Sequence, residues 1–205
     1  ASDVYKRQGY DIGGDFRSNN SDESGLSVSL SSDGSIVAIG APKNASNKGH
    51  IRLYRWREFL ASDINSDGDI LDFNYVNQRD SGFYSDLPII ITSSDGTAPV
   101  AGTYYWTQMG LDIDGDVAGD EYGHQVSLNG DGTIVAIGAY NHDGNKGHVR
   151  VHQYSSNDDD WTQLGSDIDG EAAGDESGFS VSLSNDGTKL AIGAPKNDGN
   201  KGNVR

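Results

Sequence analysis

A chain of 205 residues with 31 acidic against 15 basic side chains carries a formal net charge of −16. That charge repels nucleic-acid phosphates and anionic lipid head groups and argues against nucleic acid as a partner. The absence of cysteine excludes a disulfide framework and a thiol nucleophile, and no apolar run approaches the roughly 18 residues that span a bilayer. With 28 glycines, 34% hydrophobic residues and a mean hydropathy of −0.60, the composition lies close to that of disordered chains. Patterning separates it from them. The apolar residues fall in short alternating runs at the same places in each copy of a repeat, which predicts strands joined by glycine-rich turns.

Residues 1–8 include Asp3-Val4-Tyr5-Lys6-Arg7-Gln8, which resembles the translation of a transposase adaptor used in sequencing-library preparation, and they are set aside from the fold. Residues 9–56 read as a first repeat. In Ser27-Val28-Ser29-Leu30-Ser31 the alternation predicts a strand with Val28 and Leu30 facing the core and the serines facing outward. Asp33-Gly34 supplies a tight turn into the run Val37-Ala38-Ile39-Gly40, and Ile51 and Leu53 alternate with Arg52 and Tyr54 in a further strand. Residues 57–103 read as an insertion, with 87–92 as a candidate edge strand. Residues 104–154 form a second repeat, opening at Trp106 and turning at Asp131-Gly132. Residues 155–205 form a third, with strands expected over 161–164, 178–183 and 189–192 and at Val204. The third copy stops inside a segment that the second continues as Val151-His152-Gln153-Tyr154, so the chain is expected to be a fragment lacking both natural termini.

Gly25, Gly123 and Gly178 recur at spacings of 98 and 55, as do Gly40, Gly138 and Gly193. Residues 106–150 align with 161–205 without a gap, about two-thirds of the 45 positions being identical, so the period is 55 and the larger spacing contains 43 inserted residues. Four short strands per period predict an all-β fold, a partial β-propeller of four-stranded antiparallel blades with about three repeats of 55 residues.

Gly25-Leu26-Ser27-Val28, then Val37-Ala38-Ile39-Gly40-Ala41-Pro42 and Gly49-His50-Ile51-Arg52-Leu53-Tyr54, resemble the FG-GAP repeat of integrin-type propellers. Gly178-Phe179-Ser180-Val181 with Ile192-Gly193-Ala194-Pro195 repeats the pattern, whereas the second copy has Gly123-His124-Gln125-Val126 and Gly138-Ala139-Tyr140. Ser184-Asn185-Asp186-Gly187-Thr188-Lys189-Leu190-Ala191 is also similar to the middle of a WD40 repeat. The first resemblance implies calcium loops between the Gly-Ser-Val and Gly-Ala-Pro strands. Here those loops shrink to turns with one carboxylate each, Asp33, Asp131 and Asp186, and calcium is not expected in them.

The best metal candidate lies in the insertion. Asp63, Asn65, Asp67, Asp69 and Asp72 follow the early spacing of an EF-hand-type loop with Gly68 at its sharp turn, but Asn74 stands where a bidentate Glu is needed. The segment is either a weak calcium site or an acidic solvated turn. A second acidic cluster, Asp112, Asp114, Asp116, Asp120 and Glu121, returns as Asp167, Asp169, Glu171, Asp175 and Glu176, and repetition argues for solvated loops over an active site. The five histidines show no metal-ligand spacing, and Trp106 and Trp161 read as packing residues. The expectation is a non-catalytic binding or scaffold protein, extracellular or at the cell surface, and not an enzyme. It would hold a protein or glycan ligand through blade loops, with no nucleic-acid partner, no membrane span and no cofactor beyond possible calcium. The rival reading is a propeller-fold hydrolase or lyase whose active site lies in missing blades or in the insertion.

Overall fold

A computed structural model describes residues 22–58 and 104–205. Among them the chain is all-β, with three antiparallel sheets. In the first sheet β1 (Ser27–Leu30), β2 (Ile36–Ala41) and β3 (His50–Glu58) run in sequence order, and β3 then pairs with both β4 (Tyr104–Gln108) and β5 (Ile113–Asp114). The second sheet repeats this with β6 (Gln125–Leu128), β7 (Ile134–Ala139), β8 (His148–Ser155), β9 (Asp160–Gln163) and β10 (Ile168–Asp169). The third holds β11 (Ser180–Leu183), β12 (Leu190–Ala194) and β13 (Asn203–Val204).

The expected four-stranded sheet is therefore modified. Its fourth position is filled by two segments, since β4 pairs with the far half of β3 from Tyr54 to Glu58 and β5 with His50 and Ile51. Between them Met109 N still donates to Leu53 O at 2.8 Å, and Gly110 at φ 69 then turns the chain out of register. The sheets are also offset by one strand from the repeats as read in the sequence. Trp106, at the head of the second repeat, sits opposite Trp56 of the first sheet, and Trp161 sits opposite Tyr154 of the second.

The hairpins form where Asp-Gly predicts them. Asp33 Oδ1 accepts from Ser35 N (2.9 Å), Ser35 Oγ (2.7 Å) and Ser31 Oγ (2.8 Å), and Asp131 and Asp186 repeat the arrangement with Thr133 and Thr188. The three carboxylates thus serve as acceptors that close the turns. Stabilisation of the ionised form by these donors, the Ser35 amide first, lowers Asp33 to about 2, and the Ser184 hydroxyl and Thr188 lower Asp186 to about 2.

The sheets pack face to face. Ile36, Ala38, Ile51 and Leu53 of the first sheet meet Val126, Leu128, Val135 and Ile137 of the second in one buried core, and Ala136 and Val149 meet Ile192, Val181 and Leu183 in the next. Each fully buried side chain of this kind is worth about 1.5–3 kcal/mol. The serine faces are interfaces too, which corrects their expected outward orientation. Ser27, 5% exposed, donates its hydroxyl to Gly123 O at 2.7 Å, and Ser29 Oγ accepts from Leu128 N at 2.9 Å. A second correction concerns Val28 and Leu30, which are 63% and 58% exposed because the apolar side of this strand faces away from the second sheet and no other described residue covers it. Their counterparts Val126 and Leu128 are 5% and 7% exposed.

Candidate functional site

After β2, β7 and β12 the chain reverses through Asn44–Asn47, His142–Asn145 and Asn197–Asn200, single turns that contain left-handed residues such as Asp143 (φ 48) and Gly144 (φ 67). Each of the first two turns docks on the acidic loop of the following sheet. Glu121 N donates to Asn47 O and Tyr122 N to Lys48 O, and one period later Glu176 N donates to Asn145 O and Ser177 N to Lys146 O. Turns and acidic loops therefore gather at one end of the sheets.

Much of the acidic cluster is engaged in ion pairs within its own sheet and that sheet's flanking loops. Arg52 forms a bidentate pair with Asp112, from Nε at 3.0 Å and from Nη2 at 2.8 Å, and Gln108 Nε2 donates to the same carboxylate at 2.8 Å. Arg150 grips Asp167 with two bonds of 2.9 Å, assisted by Gln163 at 2.8 Å. The Arg150 hydrogen bond in particular holds Asp167 at about 2, well below the usual carboxylate range. Glu23 pairs with Lys43 at 2.7 Å and Glu176 with Lys196 at 2.6 Å. Asp114, Asp116, Asp169 and Glu171 remain exposed.

The second copy departs from its neighbours here. Tyr140-Asn141-His142 replaces Pro-Lys-Asn, so Glu121 accepts from the Tyr140 hydroxyl at 3.0 Å instead of pairing with a lysine. His142 Nδ1 lies 2.8 Å from Asp120 Oδ2. His148, at the start of β8, is 2% exposed, and its ring lies 4.1 Å from that of His142 and edge-on to Tyr122 at 6.1 Å. Neither ring nitrogen of His148 has a hydrogen-bond partner, nor has the Tyr122 hydroxyl. Burial, together with the nearby His142 and Arg150 charges, pushes His148 down to about 4, so it is neutral at physiological pH. Asp169 stands opposite His148 in the β8–β10 ladder, and one ligand atom each from His142, His148 and Asp169 lies within 4.8 Å of the other two.

This cluster corrects the expectation that the histidines lack metal-ligand spacing. His148 follows His142 by six positions, and the left-handed turn between them brings the rings together. The only sequence signal was the double departure of the second copy from the Asn44 and Asn197 pattern. The expected metal set Asp63, Asn65, Asp67, Asp69 and Asp72 lies outside the described residues. Trp161 packs as expected, 8% exposed with its Nε1 donating to Met109 O at 2.8 Å.

No protein-family model matches the sequence, and no curated protein matches it. Among solved structures, the chain is similar to a protein from Bacteroides uniformis titled a "putative 6-phosphogluconolactonase", at 13% identity and a TM-score of 0.31, over 88% of this chain and 70% of that one. That protein is named as an enzyme, and the expectation that the present chain is not an enzyme is withdrawn on this finding. A likeness at that level carries no activity over.

Proposed function

We propose that the three sheets are successive blades of an FG-GAP-like β-propeller and that the protein binds a protein or glycan ligand through blade loops, outside the cell or at its surface. The observation that carries this reading is the repetition of one stacking contact. Ser29 Oγ accepts from Leu128 N and Ser127 Oγ from Leu183 N, each at 2.9 Å, so each sheet meets the next through equivalent atoms. A constant relation between sheets is what radial repetition requires. The hairpin turns are linked in the same sense, Ser32 N to Gly130 O and Gly130 N to Asn185 O, both at 2.8 Å.

Support for a binding role comes from the end that carries the acidic loops. Asp114, Asp116, Asp143, Asp169 and Glu171 are exposed there in a protein of net charge −16, which favours a ligand bearing positive charge. Calcium in the insertion, at Asp63, Asn65, Asp67, Asp69 and Asp72, belongs to the same reading and rests on the sequence pattern alone.

The test is surface plasmon resonance of the whole chain against panels of glycans and basic proteins, with antibody labelling of intact and permeabilised source cells. The reading expects saturable binding that weakens with salt and in Asp143→Asn/Glu171→Gln, and labelling of intact cells. Labelling only after permeabilisation would remove the surface assignment. Binding indifferent to both salt and the double substitution would remove the acidic end as the contact.

A further inference from the structure

We propose that His142, His148 and Asp169 form a binding site for a divalent transition-metal ion, with zinc the best chemical fit, and that Asp120 positions His142 within it. Two imidazole nitrogens and one carboxylate oxygen are a donor set suited to zinc, with room for a further ligand from solvent. Calcium and magnesium prefer all-oxygen sets.

Three observations carry the assignment. His148 is buried to 2% exposure with both ring nitrogens unpartnered, a loss of hydrogen bonding that a buried imidazole ordinarily avoids. A metal ion would supply the missing partner. His142 has its Nδ1 engaged by Asp120 at 2.8 Å, which leaves Nε2 as the nitrogen it can offer and matches the carboxylate–histidine–metal arrangement that fixes a ligand's tautomer. The third ligand is set by backbone register, because Asp169 pairs directly with His148 across two strands.

The surroundings fit a cation that enters from solvent. The Asp169 side chain is 51% exposed, so the cluster opens on one side. Lys146 lies 3.7 Å from the Asp169 carboxylate and would have to yield, which its 26% exposed side chain on a flexible stem allows. Arg150 is offset by Asp116 and Asp167, which it pairs with. The first copy has Asn44 and His50 at the equivalent positions and the third has Asn197 and Asn203, so the paired imidazoles belong to the second copy alone.

Titration of the full chain with zinc, and with cobalt(II) as a spectroscopic probe, tests the site. The expected result is one tight equivalent whose cobalt visible bands report nitrogen ligation in a low-coordinate geometry, a signature that an oxygen-only loop does not give. His142→Asn inserts the residue that both other copies carry there and His148→Asn the residue of the third copy, so folding, checked by circular dichroism, should survive. Each should weaken zinc by at least the roughly 10–100-fold typical of outer-shell losses, and Asp120→Asn should weaken it within that range. Cobalt bands unchanged in folded His142→Asn and His148→Asn, zinc displaced equally well by calcium, or no zinc equivalent at all would each overturn the proposal.

Discussion

The second sheet and the first are built from nearly the same residues and experience opposite surroundings. Val126 and Leu128 are 5% and 7% exposed, while Val28 and Leu30, at the same strand positions, are 63% and 58% exposed. The local pattern differs only in its first residue, Ser-Val-Ser-Leu against Gln-Val-Ser-Leu, and the pairing to the next strand has the same register. What differs is the neighbour. Alternation specifies which residues share a face, and stacking decides whether that face is buried.

The sharpest way to break this comparison is to truncate the same leucine in both settings. Leu128→Ala should cost about 3 kcal/mol, from lost burial plus the cavity left between sheets, whereas Leu30→Ala should stay within about 0.5 kcal/mol. Urea unfolding of the two variants measures the difference, and equal costs would mean that the first and second sheets do not stack as described.

A smaller effect distinguishes the second sheet from the third at a glycine. A Cβ at Gly138 would run into the Gly178 carbonyl of the adjoining sheet, a backbone atom that cannot swing aside, while a Cβ at Gly193 meets the rotatable Ser180 hydroxyl of its own sheet. Gly138→Ala should therefore cost about 2 kcal/mol, in the usual range for overpacking, and Gly193→Ala under about 1 kcal/mol. Thermal melts that rank them the other way would contradict the close backbone approach between sheets.

The smallest effect concerns acid. Asp167 is held at about 2 by Arg150, below the ordinary 3.8, so its ionised form is favoured in the folded state. A depressed folded value gives stability that is complete above 3.8 and disappears as pH falls through about 2. Asp167→Asn should cost under about 1 kcal/mol at neutral pH, as partly exposed pairs do, and that difference from the parent chain should vanish across the same window. A gap that persists below pH 2 would point to a packing role for the carboxamide site.

Much of the architecture was legible in the sequence because it is repeated. The recurrence of Asp33-Gly34, Asp131-Gly132 and Asp186-Gly187 marked the hairpins, and the structure adds the hydrogen-bond reason for the aspartate. β5 and β10 were not legible, since two residues, Ile113-Asp114 or Ile168-Asp169, are too short to show alternation and depend on the partner strand for their existence. The exposure of Val28 could not be read locally for the reason given above. The acidic loops were visible as repeated carboxylates, but Arg52 and Arg150, 60 and 17 residues from Asp112 and Asp167, gave no local sign of pairing with them. The His142 and His148 pair escaped a spacing search because a left-handed turn, not a regular element, sets their approach.

The one-strand offset between repeat and sheet has a consequence for how such a chain can change over generations. Residues 104–114 finish the sheet that β1 to β3 begin, and β9 and β10 finish the one that β6 to β8 begin. A genetic duplication or deletion of one 55-residue unit, wherever its breakpoints fall, hands on as many closing strands as it takes away. Every internal sheet remains complete. Gene length can thus drift in whole units while selection acts on single loops, and a change such as the paired histidines of the second copy can arise in one unit without disturbing the closure of the others.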